Sequence, residues 1–215
     1  MKDTKMLARL ETLIDIVFAL SLWEIFSFLP SPSLEGFELM SIADLVADES
    51  SKFVIAFIAI LIISIYWIQN NNLFKYLHHT NAIHSLLSIF NLFLLLLFLH
   101  AVDLSIHLDG DKNALLIQSI SAFVYGTSTY ITWWYALKAE LVDRSLSLED
   151  AQVLSQRNFA EPVTAIFTLP FAFGMPILWN LSWFAYPFIR KIFRGKLRKF
   201  TDKETLKYMT NTPKV

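Results

Sequence analysis

The chain contains no cysteine. That excludes disulfides, thiolate metal sites and thiol nucleophiles outright. It also shows no phosphate-cradling loop, no Ser-His-Asp set and no paired carboxylate arrangement, so none of the familiar catalytic constellations is present. There is no obvious internal repeat or low-complexity run. A cleavable signal is not expected either. The first apolar run contains Asp15 and Glu24, and no small-x-small cleavage site follows it, so this segment should remain in the mature protein. Neither charge sign dominates: 18 Lys and Arg stand against 19 Asp and Glu. What matters is where those charges fall.

What the chain has in excess is apolar surface. Hydrophobic residues make up 55% of the 215 positions, and 19 are Phe. A soluble domain of this length cannot bury that much. The apolar residues come in runs of spanning length rather than in an amphipathic pattern. The expected fold is therefore an all-α integral membrane protein. Six segments qualify, roughly 10–29, 52–69, 83–102, 114–137, 159–173 and 176–193. Each is near the ~20 residues that cross ~30 Å of hydrocarbon. Only Gly174, Met175 and Pro176 separate the last two, which read as a tight hairpin or as one interrupted helix. Pro162 falls in the expected first turn of the fifth segment, where proline is tolerated, and Pro170 predicts a kink.

Positive charge marks every second connection. Lys2, Lys5 and Arg9 precede the first segment, Lys75 lies in an acid-free loop after the second, and nine Lys or Arg follow from Arg190 onward. The loop at 31–51 carries five acids, Glu35, Glu38, Asp44, Asp48 and Glu49, and the 103–113 loop carries three. By the positive-inside rule both termini are cytoplasmic, which six spans satisfy. The division that follows is a six-helix transmembrane domain over 1–193 and a basic cytoplasmic tail over 194–215. That tail reads as a topology anchor and a contact for anionic membrane lipids rather than a nucleic-acid arm. The apolar spacing within 31–51 predicts a short helix lying on the outer leaflet.

The first segment, "ARLETLIDIVFALSLWEIFSFLP", is the anomaly, because a charge near the bilayer centre costs about 2.5–3.5 kcal/mol. Arg9 and Glu11 lie near the cytoplasmic end, where water is within reach. At about 100° per residue, with Asp15 at zero, Leu13, Leu20, Glu24 and Ser27 fall between about 120° and 180°. They form one stripe, and Asp15 points nearly the opposite way. Asp15 is expected to be satisfied by hydrogen bonds from neighbouring helices. Glu24 snorkels outward, pairs with a histidine such as His100, or faces water in a pore. Trp23, Trp133, Trp134, Tyr130 and Tyr135 read as interfacial-belt aromatics. His78, His79, His84, His100 and His107 invite a metal or haem reading. The spacing of His79 and His84 does not give the shared helix face of a ligand pair, and no metal or cofactor is assigned.

Three stretches together resemble the transmembrane protein 175 family of potassium channels in its short prokaryotic form. That family opens its first helix with Arg-x-x-x-Phe-Ser-Asp, then a small residue and an apolar run. Here Arg9, Leu13, Ile14 and Asp15 precede Ile16, Val17, Phe18 and Ala19. The family's second helix ends in Trp-x-x-His, matched by Trp67 with Asn70 in the His position. Its third helix carries Asn-Leu in a leucine-rich run, matched by Asn91.

The resemblance implies a homotetramer of six-helix subunits whose first helices line a central cation pore. It is not an enzyme, and it would sit in a bacterial or archaeal plasma membrane. Potassium or other monovalent cations, membrane lipids and further copies of the chain are the implied partners, and nucleic acid is not. By position Leu20 forms the apolar constriction, with Leu13, Glu24 and Ser27 lining the pore. Arg9, Asp15, Trp67, Asn70 and Asn91 form the polar network that holds the pore helix. Glu24 and Asn70 depart from the family pattern: the first puts a carboxylate where apolar residues are usual, and the second removes a titratable group. A proton-coupled transporter or proton leak carried by Glu24 and Asp15 is the competing reading.

Overall fold

The computed structural model describes residues 2–27, 50–108, 110–143 and 146–192. The expected interfacial helix falls within 31–51, which apart from the first two residues of α2 lies outside the described residues, as does the basic tail. Every regular element described is helical, and apart from the helices the described residues hold one isolated bridge and the connecting turns. The chain divides into two compact units, residues 9–75 and the remainder.

The 9–75 unit holds most of α1 (Lys2–Ser27) and all of α2 (Ser50–Phe74). α2 runs five residues past its expected end because Asn70, Asn71 and Asn72 continue the backbone ladder, and Lys75 closes on the Asn71 carbonyl at 2.9 Å.

In the other unit, α3 (Ala82–His107) packs on α4 (Lys112–Lys138), and α4 packs on α5 (Leu148–Thr168). Of the described helices, α2 and α3 hold windows long and apolar enough to cross a membrane, 56–74 and 82–105. The others fall short of that pattern for visible reasons. α1 carries acids along its length, and α4 and α5 are rich in hydroxyl and amide side chains.

The α4–α5 contact is built from small residues. Ala114, Ala122, Ala136, Ala151, Ala160 and Ala165 are all essentially inaccessible, which lets the two backbones approach closely. Hydroxyls and indoles then satisfy one another inside. Ser119 Oγ and Thr168 Oγ1 lie 2.8 Å apart, Trp179 Nε1 donates to Ser119 Oγ at 2.8 Å, and Trp133 Nε1 donates to Ser155 Oγ at 3.1 Å. Trp133 is thus a core residue, 2% exposed, rather than a belt aromatic.

α5 begins at Leu148 and not near 159. Ser147 caps it, accepting from the Asp150 amide at 3.0 Å while its hydroxyl donates to the Asp150 carboxylate at 2.7 Å. Pro162 therefore sits in the helix interior, not in a first turn. Its ring is accommodated by Gly126 on α4. A Cβ at position 126 would come within 2.8 Å of Pro162 Cδ.

The end of the chain is broken into pieces. α5 passes at Leu169–Phe173 into a 3₁₀ turn containing Pro170. Gly174 follows with a φ of 139°, open only to glycine without strain. Then come α6 (Pro176–Ser182), a 3₁₀ turn at Trp183–Ala185 and a last helical stretch over 186–192. The second 3₁₀ turn directly precedes Pro187, which has no N–H to offer the Trp183 carbonyl. The last two segments thus read as a hairpin with an interrupted second arm.

The loops after α2 and α4 are tied together. Leu77 and Val142 form an antiparallel bridge, and the Asp143 amide donates to the Tyr76 carbonyl at 2.7 Å. Here His78 Nδ1 lies 3.7 Å from Asp143 Oδ2.

Candidate functional site

α1 presents three distinct faces. Leu7, Leu10, Ile14, Phe18, Ser21 and Ile25 are buried, spaced three or four apart as one stripe. Roughly 110° around the helix from that stripe lie Leu13, Leu20 and Glu24, all exposed. Leu20 is 60% exposed, and Ile16 and Trp23 beside it are 51% and 69% exposed. Asp15 occupies the third face, about 100° from the buried stripe on its other side. Of Ser27 only the backbone is described, as the last residue of α1.

Asp15 is exposed but not unsatisfied. Trp67 Nε1, on α2, donates to its Oδ1 at 2.9 Å. The two residues lie 52 positions apart in sequence. A hydrogen bond to an ionised acceptor is worth roughly 1.5–3 kcal/mol where water is excluded. Asn70, three residues beyond Trp67, is half-buried on the same helix, and Arg9 is exposed near the start of α1.

Asn91 belongs to the other unit and has a partner there. Its Oδ1 accepts from Thr129 Oγ1 of α4 at 3.1 Å, and the same hydroxyl is 3.1 Å from the Tyr125 carbonyl. Spacing along the chain did not single out Thr129. Its signal is the hydroxyl-rich stretch "TSTYIT", unusual within an apolar segment.

The histidines disperse. His78 faces Asp143, while His84 Nδ1 lies 2.8 Å from Thr80 Oγ1 near the start of α3. Among the described residues no three His, Asp or Glu side chains converge as a metal set.

Among the described residues, two helices are long and apolar enough to cross a membrane, and small residues and hydroxyl pairs fill the interior as they do between helices packed in a bilayer. A family model described as "Endosomal/lysosomal potassium channel TMEM175" matches residues 9–98, somewhat less than half of the chain, covering most of α1, all of α2 and much of α3. Over that segment the chain is similar to the TMEM175 potassium channel family. No curated protein and no solved structure matches the chain significantly.

Proposed function

We propose that the protein is the subunit of a tetrameric potassium channel whose pore is lined by α1, with Leu20 as its narrowest apolar ring. In this reading the chain crosses a bacterial or archaeal plasma membrane six times, with both termini cytoplasmic. The observation that carries it is the exposed arc of α1. Leu13, Ile16, Leu20 and Trp23 are all more than two-fifths exposed, although the same helix buries a full stripe elsewhere. A helix with one buried face and a second, acid-bearing apolar face needs something against that second face. Copies of the same helix around an axis would supply it.

Chemically, a ring of leucines offers a cation no oxygen ligand. Passage requires partial loss of the hydration shell, and potassium holds its water less tightly than smaller cations. Glu24, one turn from Leu20 along the stripe, would raise the local cation concentration beside the constriction. Asp15, Trp67, Arg9 and Asn70 would act as positioning residues that hold α1 in register, while Asn91 would hold α3 against α4 through Thr129.

The test is current through the reconstituted full-length protein. Potassium-selective currents are expected, and Leu20→Ala should raise conductance and reduce the discrimination between potassium and sodium. Silent bilayers, or conductance and selectivity unchanged in Leu20→Ala, would overturn the assignment. Saturable, pH-driven uptake in place of current would make it a proton-coupled transporter, with Glu24 and Asp15 as carriers.

A further inference from the structure

Within the unit that holds α3 to α6, α5 and the last helical stretch line a cleft of about 360 Å³. Glu149, Gln152, Val153 and Gln156 supply one wall, at the three-and-four spacing of a single helix face. Tyr186, Pro187, Arg190 and Lys191 supply the other, again one face of a helix. The volume is in the range of small-molecule sites. The lining is unusual for a membrane-protein surface: two cations, a phenol, two amides and one carboxylate. Gln156 contributes to the wall while only 6% exposed, so the cleft reaches into the packed part of the unit.

Two neighbouring features point to the ligand. The first is charge. Arg190 and Lys191 set two positive charges side by side on one wall, and Arg157 follows Gln156 of the other wall in sequence. An anion between Arg190 and Lys191 would neutralise that concentration of charge. The second is the surrounding surface. Phe188 and Ile192 on the same stretch, and Phe184 in the 3₁₀ turn before it, are 69%, 70% and 73% exposed. A polar cleft bordered by exposed phenylalanines suits a ligand with a polar head and apolar chains.

We propose that this cleft binds a phosphate-bearing ligand, with the phosphate oxygens on Arg190 and Lys191, further donors from Tyr186 and the Gln152 amide, and a glycerophospholipid headgroup as its source. Arginine and lysine supply the charge-assisted bonds that phosphate prefers. Glu149 at the other wall suits a hydroxyl or ammonium group carried by the headgroup. The exposed phenylalanines then flank the acyl chains.

Native mass spectrometry of the full-length protein in neutral detergent, titrated with phosphatidylglycerol, tests this directly. One lipid per subunit should be retained more tightly than the rest. Lys191→Gln should weaken that retention roughly fivefold, the scale of one basic contact to an anionic lipid, and Gln152→Ala should weaken it by a smaller factor, that of one neutral hydrogen bond. Neither change touches the buried core, and unchanged melting of the lipid-free variants checks this. Lys203→Gln, in the basic tail, should leave the retained lipid in place. Displacement by millimolar inorganic phosphate would identify free phosphate as an occupant of the same oxyanion site. Resistance to it identifies the lipid alone. Equal loss on Lys203→Gln, equal retention of a phosphate-free glycolipid, or no effect of Lys191→Gln would each overturn the proposal.

Discussion

Trp67 donates its indole N–H to the Asp15 carboxylate at 2.9 Å, joining the second helix to the charged first helix across 52 residues of sequence. The exposed Asp15 carboxylate thus has a specific donor on the second helix. Trp67→Phe keeps most of the ring and removes only the donor. It should lower stability by about 1–2 kcal/mol, or a few degrees in the unfolding midpoint for a chain of this size. Asp15→Asn should cost less, because an amide oxygen still accepts. The double variant should cost little more than Trp67→Phe alone. Thermal melts of the four proteins in one detergent form a double-mutant cycle, and strictly additive losses would show that the bond contributes nothing.

Gly126 and Pro162 form a second close approach, this time between α4 and α5. A methyl group at 126 would meet Pro162 Cδ at 2.8 Å and the Pro162 backbone nitrogen at 3.1 Å. Helix propensity alone favours Gly126→Ala by up to about 1 kcal/mol. Overpacking against a backbone atom and a rigid ring opposes it by about 1–3 kcal/mol, and should win. Gly126→Ala should therefore melt at a lower temperature than the unaltered protein. Pairing it with Pro162→Ala, which removes the ring, should recover part of the loss. Recovery would locate the clash at this contact.

α4 ends in a Schellman arrangement without its usual glycine. The Leu141 amide reaches the Ala136 carbonyl at 3.0 Å, and Glu140 takes a φ of 58°. A side chain in that left-handed conformation costs about 1 kcal/mol. Glu140→Gly should accordingly stabilise the protein by about 0.5–1 kcal/mol, while Glu140→Val, branched at Cβ, should destabilise it. Comparison of the two melting midpoints checks both signs.

How far the sequence could be read differs from element to element. α2 and α3 announce themselves by long apolar runs, and the acids of α1 stand out because charge is costly there. Hydropathy does not reveal the start of α5, because residues 148–158 are amphipathic. The local signal, Ser147 three residues before Asp150, is a capping box. Pro170 foreshadows the break after α5, but the 3₁₀ turns follow from register, which composition does not encode. That Asp15 needs a donor follows from its charge; that the donor is Trp67 follows from no spacing along the chain and came only through the family motif. The Asn91–Thr129 bond and the cleft between α5 and the 186–192 stretch depend on which helix faces meet. One chain without relatives to compare carries little information on that.

Glu24 is exposed on the same side of α1 as Leu20, so its effect on permeation should be electrostatic and therefore salt-dependent. At about 0.01 M salt the screening length is about 30 Å, longer than the distance over which a ring of carboxylates would act on an entering cation; at about 1 M it is about 3 Å. If the proposed pore is correct, Glu24→Gln should reduce single-channel conductance by roughly two- to tenfold at the lower concentration. The variant and the unaltered channel should converge at the higher one. A purely structural role would predict a different pattern, a loss of conductance independent of salt together with a lower melting midpoint. A carboxylate ring should also bind divalent cations, so block by calcium should weaken in the same variant. Equal conductance at low salt with unchanged divalent block would remove Glu24 from the ion path and leave Leu20 to be tested on its own.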